Sequence, residues 1–354
     1  MRITSFRNRP FSFALRRPLP TAAGVVDSRR GRLLLLGDES GRVGLGEVSP
    51  LPGFSPESLE EAWASLEDLS LPPLPEEASA LAGLIESMAL PPSASFGLEM
   101  AALDLIGQRQ GRPLAHLLSE DAQDWVPLSQ LVQDVAGARA AVNEGVGTLK
   151  IKVGHQPMAE TGALLESIRE AVGPEIRLRL DANRAWSPGE ATECLKQWRR
   201  LEIECVEEPL RSDCLDQLST LAELGVPLAA DESLRSPLDL AQLSAAFAGV
   251  VLKPLLIGGL HRSVMMAREA ATRGLFVLVT TSLEAAVGRL GVAHVAAACP
   301  REAQRAHGLG TGILLGEDLV EGPADPGIQG GRYKLSSSPG LGLTLGQLRT
   351  GEAA

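Results

Sequence analysis

Thr148-Leu149-Lys150-Ile151-Lys152 opens a series of five short apolar or β-favouring runs, each ending in a charged cluster. Ile176–Leu180 leads into Asp181-Ala182-Asn183, and Ile203–Val206 into Glu207-Glu208-Pro209. Pro227–Ala230 leads into Asp231-Glu232-Ser233, and Gly249–Leu252 into Lys253-Pro254. From Lys152 to Asp181 is 29 positions, and the next three steps, to Glu207, Asp231 and Lys253, are 26, 24 and 22. That is the length of one strand, one helix and two loops. A charged residue at the end of successive parallel strands marks the C-terminal rim of a (β/α) barrel, where that fold carries its active site.

Strand alternation then sorts the side chains. Residues two apart share a face, so Lys150 and Lys152 point together while Ile151 points to the helices. Asp181 and Asn183 are paired by the same rule. Three carboxylates (Asp181, Glu207, Asp231) fall on three consecutive strands. With the lysine-pair strand counted second, Lys253 ends the sixth, across an eight-strand ring from Lys152. Taken singly, a lysine pair is usually a solvated strand edge, and an Asp-Glu pair before a helix is usually an N-cap. It is their order at βα spacing that points to a site.

The chain has 354 residues, 44% hydrophobic and 22% charged, which suits a large barrel with a smaller domain. A net charge of −11 with no long Lys/Arg block argues against nucleic acid as a partner. The cysteines Cys194, Cys205, Cys214 and Cys299 lack metal or redox spacing and suit a reducing compartment. Five scattered histidines offer no metal-ligand pattern. The apolar region 275–298 is interrupted by Glu284, Arg289 and His294, and the start lacks the apolar stretch of a signal peptide. These features predict a cytoplasmic protein with no membrane partner and leave its oligomeric state undetermined.

Outward from the barrel, residues 1–118 have the texture of an α+β cap. Strands are expected over 3–15, 32–36 and 42–47, with a small-residue loop at 19–26 and a second loop at 49–55. Ser55-Pro56-Glu57 is expected to cap a helix that starts there. Helices are expected over 59–69, 76–88 and 96–108, broken by the proline-rich connectors. Residues 119–317 form the barrel. Its first strand is 126–132, with helices at 135–142, at 158–172 and from Ser187-Pro188. Its seventh strand is 276–282, followed by a helix over 283–298 with Ser282 as N-cap. Its eighth is the glycine-rich 307–312. Residues 318–354 are expected to pack back on the cap. The fold class is thus α/β, a modified (β/α)7β barrel whose N-terminal α+β capping domain is completed by the C-terminal segment.

Three carboxylates on one rim repel unless a cation neutralises them, and oxygen-only ligands suit Mg²⁺. Such an ion can hold a substrate carboxylate and stabilise the charge that builds when the adjacent carbon loses its proton. A lysine base needs a lowered pKa, which a second ammonium and desolvation favour, so Lys150 has a reason to stand beside Lys152. Lys253 can serve as a second acid/base or as a cation facing the enolate. The competing account is a rim of ion pairs without metal.

Lys150-x-Lys152, Asp181, Glu207, Asp231 and Lys253 together resemble the enolase superfamily in its muconate-lactonising branch. The segments 46–57, 92–99, 178–188, 231–235 and 251–260 resemble more narrowly its o-succinylbenzoate synthase family. The resemblance implies a Mg²⁺-dependent syn dehydration of 2-succinyl-6-hydroxy-2,4-cyclohexadiene-1-carboxylate to 2-succinylbenzoate, in menaquinone biosynthesis, with Mn²⁺ as a substitute metal. It implies metal ligation by Asp181, Glu207 and Asp231, proton abstraction and return by Lys152, enediolate stabilisation by Lys253, and support of Lys152 by Lys150. Glu208 rivals Glu207, but the family's ligand precedes the Glu/Gln-Pro pair. Arg179, Asn183, Thr280, Ser282 and Gly308 match positions near the small carboxylate substrate. Gly310 departs from the pattern, in a segment that often carries an acid.

Two other functions fit parts of the pattern. An N-succinylamino acid racemase or dipeptide epimerase on the same scaffold would use two opposed lysines as two bases, with the loops 19–26 and 49–55 deciding. A degenerate barrel acting as a binding protein would need a broken catalytic set, and none is broken.

Overall fold

The computed structural model describes residues 1–349 apart from 22–23, 68, 323–324 and 326. Strands β1 (Ile3–Thr21), β2 (Gly24–Asp38) and β3 (Val43–Val48) form an antiparallel sheet in that order. β1 and β2 pair well past Leu15, out to Thr21 opposite Gly24, so the expected loop at 19–26 is largely strand; its residues 22–23 lie outside the described residues. The β2–β3 turn is held by Asp38 Oδ1, which accepts N–H bonds from Ser40 and Arg42 at 2.8 and 3.0 Å.

Helices α1 (Leu59–Glu67), α2 (Ala78–Ser87) and α3 (Pro92–Gln110) follow. The cap of α1 is Ser58 with Glu61, which bond each other's backbone N–H, and not Ser55. Ser55 Oγ instead accepts from Leu51 N, and Glu57 reaches Ser93 N. α3 is buried from Ser93 to Gly107, because β3 covers one side and the barrel the other. Gly44 and Gly46 make the close approach possible: a Cβ there would lie 2.1 and 2.0 Å from the carbonyl oxygens of Ala101 and Gly97.

After α4 (Leu114–Leu118), the expected first barrel strand divides in two. β4 (Trp125–Pro127) joins a small antiparallel sheet, and β5 (Ser129–Val132) begins the barrel. The barrel continues through α5 (Val135–Asn143), β6 (Thr148–Lys152), α6 (Met158–Val172), β7 (Arg177–Asp181), α7 (Pro188–Trp198) and β8 (Ile203–Glu207). Then come α8 (Leu218–Ala222), β9 (Leu228–Ala230), α9 (Pro237–Ala241), β10 (Gly249–Leu252), α10 (Pro254–Ile257), α11 (Leu260–Thr272), β11 (Phe276–Val279) and α12 (Ala286–Ala298). β5 to β11 lie side by side in chain order, each adjacent pair parallel.

The extended segment 304–308 closes the ring. It bridges Val277 and Thr280 on one side and Leu128 on the other. Its bonds include Gly308 N to Val279 O at 2.9 Å and Ser129 N to His307 O at 2.9 Å. The eighth strand therefore lies three residues earlier than the glycine-rich 307–312, because Gln304 to His307 supply the in-register backbone. The architecture is the (β/α)7β barrel with an α+β cap.

The C-terminal segment packs on both parts. β12 (Ile328–Gln329) and β13 (Arg332–Lys334) pair with β4 in the order β12-β13-β4. Further on, Gly340 takes φ +68 where Leu114 N bonds its carbonyl at 2.7 Å, and Leu341 N bonds Asp104 Oδ1 at 2.8 Å. Among the described residues no helix is long and apolar enough to cross a membrane.

Two buried acids of α3 tie the cap to its neighbours. Glu99 accepts from Leu260 N and His261 N at 2.8 and 2.9 Å, and Asp104 accepts from Leu45 N and Leu341 N. Burial pushes their carboxyls up, to about 7 and about 6 respectively. A carboxyl with a folded pKa above its unfolded value binds more protons in the native state, so its effect is to lower stability as pH rises through that window. Urea unfolding midpoints should therefore rise as pH falls from about 7 towards 5, and Glu99→Gln should flatten that slope.

Candidate active site

Strand register brings the charged residues together. Lys152 stands opposite Asp181, and Asp181 opposite Glu207, on adjacent strands. One rung lower, Lys150 stands opposite Arg179. Asp231 follows directly after β9 and Lys253 directly after β10. Asp181, Glu207 and Asp231 are each at most 3% exposed. Lys150 Nζ lies 2.9 Å from Asp181 Oδ2 and 2.6 Å from Glu207 Oε2, so one ammonium joins two strand ends. Lys253 Nζ lies 2.5 Å from Asp231 Oδ1. Lys152 shares the face of Lys150 and stands exposed at the mouth, while Ile151 between them is buried.

Opposing effects set the protonation states. Burial pulls Lys150 towards the neutral form, but Asp181, Glu207 and Asp231 outweigh it and hold the ammonium above its ordinary value. Burial likewise works against the Lys253 ammonium, and Asp231 and Glu232 overcome it. For Asp181, burial works upward and Lys150 wins, so its carboxyl is held below the usual range. Glu207 ends up raised, mainly by burial. Glu232 is pushed up to about 7 by burial and by Asp231.

Glu208 is occupied elsewhere. Its Oε2 accepts from Asp231 N at 2.8 Å and Ser233 N at 3.0 Å, and its Oε1 accepts from the Ser233 hydroxyl and from Arg184 Nε. With φ +37 the backbone turns this side chain away from Glu207 and under the Asp231 loop. Glu207 faces Lys150, and Glu208 shapes the neighbouring loop. Among the described residues, no three His, Cys, Asp or Glu side chains are gathered closely enough to hold a metal; Asp181, Glu207 and Asp231 are each turned to a lysine.

The remaining predicted positions distribute around this centre. Arg179 lies beneath it: Nε and Nη2 donate to Glu204 Oε2 at 3.1 and 2.9 Å, and Nη1 to Ala306 O at 2.9 Å. Asn183, at φ +43, donates Nδ2–H to Glu232 Oε1 at 3.1 Å. Thr280 Oγ1 bonds Gly308 O at 3.1 Å, and a Cβ at Gly308 would meet that hydroxyl at 2.7 Å. Ser282 is buried and its Oγ has no hydrogen-bond partner. It does not cap α12, which starts four residues later at Ala286 after the positive-φ residue Leu283.

Sequence patterning does not disclose Glu204. Alternation turns it away from Glu207, but a register shift between Leu178 and Arg179 brings it to Arg179. The available signal is an acid within an otherwise apolar strand. His294 and His307 are buried and serve the interior. His294 Nδ1 accepts from Ala115 N and His307 Nδ1 from Val279 N, with burial lowering their pKa values to about 4 and about 3. Cys194, Cys205 and Cys299 are buried free thiols.

The chain is similar to known proteins along most of its length. Residues 133–348 match the family model described as enolase C-terminal domain-like, and residues 16–105 match the MenC N-terminal domain. The o-succinylbenzoate synthase of Citrobacter koseri is 34% identical over 294 residues, 79% of this chain and 84% of the relative. The L-Ala-D/L-Glu epimerase of Clostridium acetobutylicum is 29% identical over 347 residues, 94% of this chain and 96% of the relative. A solved dipeptide epimerase from Methylococcus capsulatus, complexed with Mg and the dipeptide L-Arg-D-Lys, superposes with a TM-score of 0.83 at 26% identity. That superposition covers 97% of this chain and 99% of the other.

The two adjacent glutamates should differ sharply when substituted. Glu208→Ala strands two buried N–H groups and Arg184, at a cost of about 2–4 kcal/mol. Glu207→Gln removes a desolvated carboxylate whose lysine keeps Asp181, so it should change stability by less than about 1 kcal/mol. Urea denaturation of both variants in EDTA checks the contrast, and equal losses would contradict it.

Proposed function

Because this chain belongs to the enolase C-terminal domain-like family, we propose that it is a Mg²⁺-dependent o-succinylbenzoate synthase, acting on 2-succinyl-6-hydroxy-2,4-cyclohexadiene-1-carboxylate in menaquinone biosynthesis. It is an enzyme, as its relatives are. The observation that favours the synthase over the epimerases is the match of cap residues 16–105 to the MenC N-terminal domain. The barrel set alone serves either chemistry. Residues 1–118, 119–317 and 318–354 act in this account as cap, catalytic barrel and closing segment.

The chemistry of the donor set suits Mg²⁺, since Asp181, Glu207 and Asp231 are all carboxylates at the ends of consecutive strands. To hold the ion together they would have to turn from Lys150 and Lys253, with which they are paired here. Beside them, Asn183 Oδ1 and Glu232 Oε2 are buried without a hydrogen-bond partner. Asp181, Glu207 and Asp231 would hold the ion, with Mn²⁺ as a substitute. When bound, it supplies charge stabilisation at the substrate carboxylate.

The chain's own residues carry the proton. Lys152, on the mouth-facing side of β6, takes the proton from the carbon bearing the carboxylate. It returns that proton to the hydroxyl leaving from the same face of the ring. One C–H and one C–O bond break, one ring double bond forms, and water departs. Lys253, held as a cation by Asp231, faces the negative charge of the enediolate. Lys150 holds the ends of β7 and β8 and adds positive charge next to the base. Asn183, Thr280, Ser282 and Gly308 are assigned to the substrate's surroundings, and Arg179, buried and bonded to Glu204 and Ala306, to their support from below. Aromatisation makes the step strongly downhill, so little beyond a base, a cation and a closed cavity is needed.

Lys152→Ala should lower dehydration by 10³-fold or more, the scale of a lost general base, while leaving the unfolding midpoint within a few degrees. The assay follows ultraviolet loss of the cyclohexadiene with and without EDTA, and EDTA should abolish it. Near-normal turnover by this variant would overturn the assignment of the base. Fast exchange of both enantiomers of N-succinyl amino acids in D₂O, without dehydration of the diene, would identify a racemase instead.

A further inference from the structure

Arg29 of β2 is 1% exposed and ties the cap to the barrel. Its Nε–H donates to Leu283 O at 2.9 Å, its Nη1–H to Pro50 O at 2.9 Å, and its Nη2–H to Ser49 O at 2.5 Å. Ser49 and Pro50 open the cap loop that leaves β3, and Leu283 lies in the loop that leaves the seventh barrel strand. A planar guanidinium can bind three carbonyls from two directions at once, which an ammonium cannot. Leu283 sits at φ 62, a conformation that a non-glycine residue keeps only when its surroundings impose it.

A second cap residue reaches the same loop. Glu47, fully buried, accepts from Ala285 N at 2.7 Å, Gly288 N at 2.7 Å and the Ser49 hydroxyl at 2.6 Å. It thereby caps α12, whose own N-cap position is Ala285 and offers no side-chain acceptor. Gly288 leaves room for this approach, since a Cβ there would lie 3.1 Å from Glu47 Cδ and 2.6 Å from Glu284 Cβ. Between β11 and these anchors run Thr280, Thr281 and Ser282, with the Ser282 hydroxyl buried and unpartnered.

We infer that Arg29 is a positioning residue: by gripping Leu283 and Ser49–Pro50 in one guanidinium fork, it makes the cap loop 49–55 and the rim segment 280–283 a single wall against the substrate. The kinetic side of this inference rests on the proposed function; the structural side does not. Lys152 and Lys253 stand on or next to β6 and β10, which Arg29 does not touch, so the reacting centre is independent of the fork. Loss of the fork therefore weakens substrate binding and leaves the chemical step alone.

The test uses the full-length protein with Arg29→Lys, which keeps the charge, and Arg29→Gln, which keeps part of the donor set. Steady-state dehydration of the diene should show KM raised at least tenfold and kcat within threefold of the parent. Hydrogen exchange should show amides of 49–55 and 281–288 exchanging at least tenfold faster together, with 148–152 unchanged. A lowered unfolding midpoint with unchanged KM would make Arg29 a structural strut and overturn the inference. So would a fall in kcat at constant KM, or acceleration of only one of the two segments. If the parent does not dehydrate the diene, the proposed function falls, and the exchange experiment still decides the role of Arg29.

Discussion

Negative charge placed in the mouth of a closed barrel must be met by positive charge, and this requirement arranges the molecule's centre. Asp181, Glu207 and Asp231 end adjacent strands and are almost wholly removed from water. Leaving any of them without a cation would cost several kcal/mol. Lys150 and Lys253 answer them directly, and one rung lower Arg179 answers Glu204. To the side, Arg184 answers Glu208. Around the ring three consecutive strands end in acids, and a lysine-bearing strand stands on either side of them. Such an arrangement does little for stability compared with apolar packing, so its occurrence at the C-terminal strand ends points to chemistry.

The cap is fastened to the barrel by a related device. Some barrel helices cap themselves: α5 uses Asp134, α9 uses Ser236, and α7 uses Ser187 and Glu190 in a reciprocal capping box. α11 and α12 have Gly259 and Ala285 at their N-cap positions, which offer no side-chain acceptor. Their free N–H groups are taken by Glu99 and Glu47 from the cap, with Asp318 of the C-terminal segment taking Ala286 N at 2.7 Å. Barrel helix ends thus stay incomplete until the cap docks. A cap attached this way is oriented by directional bonds as well as by apolar contact, as a wall over a reaction site requires.

The legible and illegible parts of the sequence divide along this line. The barrel strands and α6 are legible because alternation and helical period are local properties, and α6 spans 158–172 as the pattern predicts. The strand-end charges are legible for the same reason, since each follows its own apolar run. The N-terminus of α12 is not, because its cap comes from Glu47, more than two hundred residues earlier. Ser282 offers the local cap signal, yet the chain makes a positive-φ turn at Leu283 first. The eighth strand is obscured by glycines that draw attention downstream, and β4 by its continuity with β5. In both cases the pairing partner is remote in sequence: β13 for β4, and both edges of the ring for 304–308. Arg29 and Glu204 carry no local signature, because their partners are main-chain carbonyls or a register shift.

The same division bears on how one barrel supports different reactions. In the proposed roles, a base on β6, an opposed ammonium after β10 and acids between them would move a proton next to a carboxylate in either a dehydration or an epimerisation. Both kinds of relative align with this chain across most of its length. The difference must then lie in what surrounds the rest of the substrate and in whether a leaving group stands on the base's side of the ring. On the reading proposed above, those surroundings are the cap loops and the 280–283 rim; the bonds that join these two parts run through the cap side chains Arg29 and Glu47. Selectivity on such a scaffold can change by altering how the wall is held, without any change to the lysines or the acids.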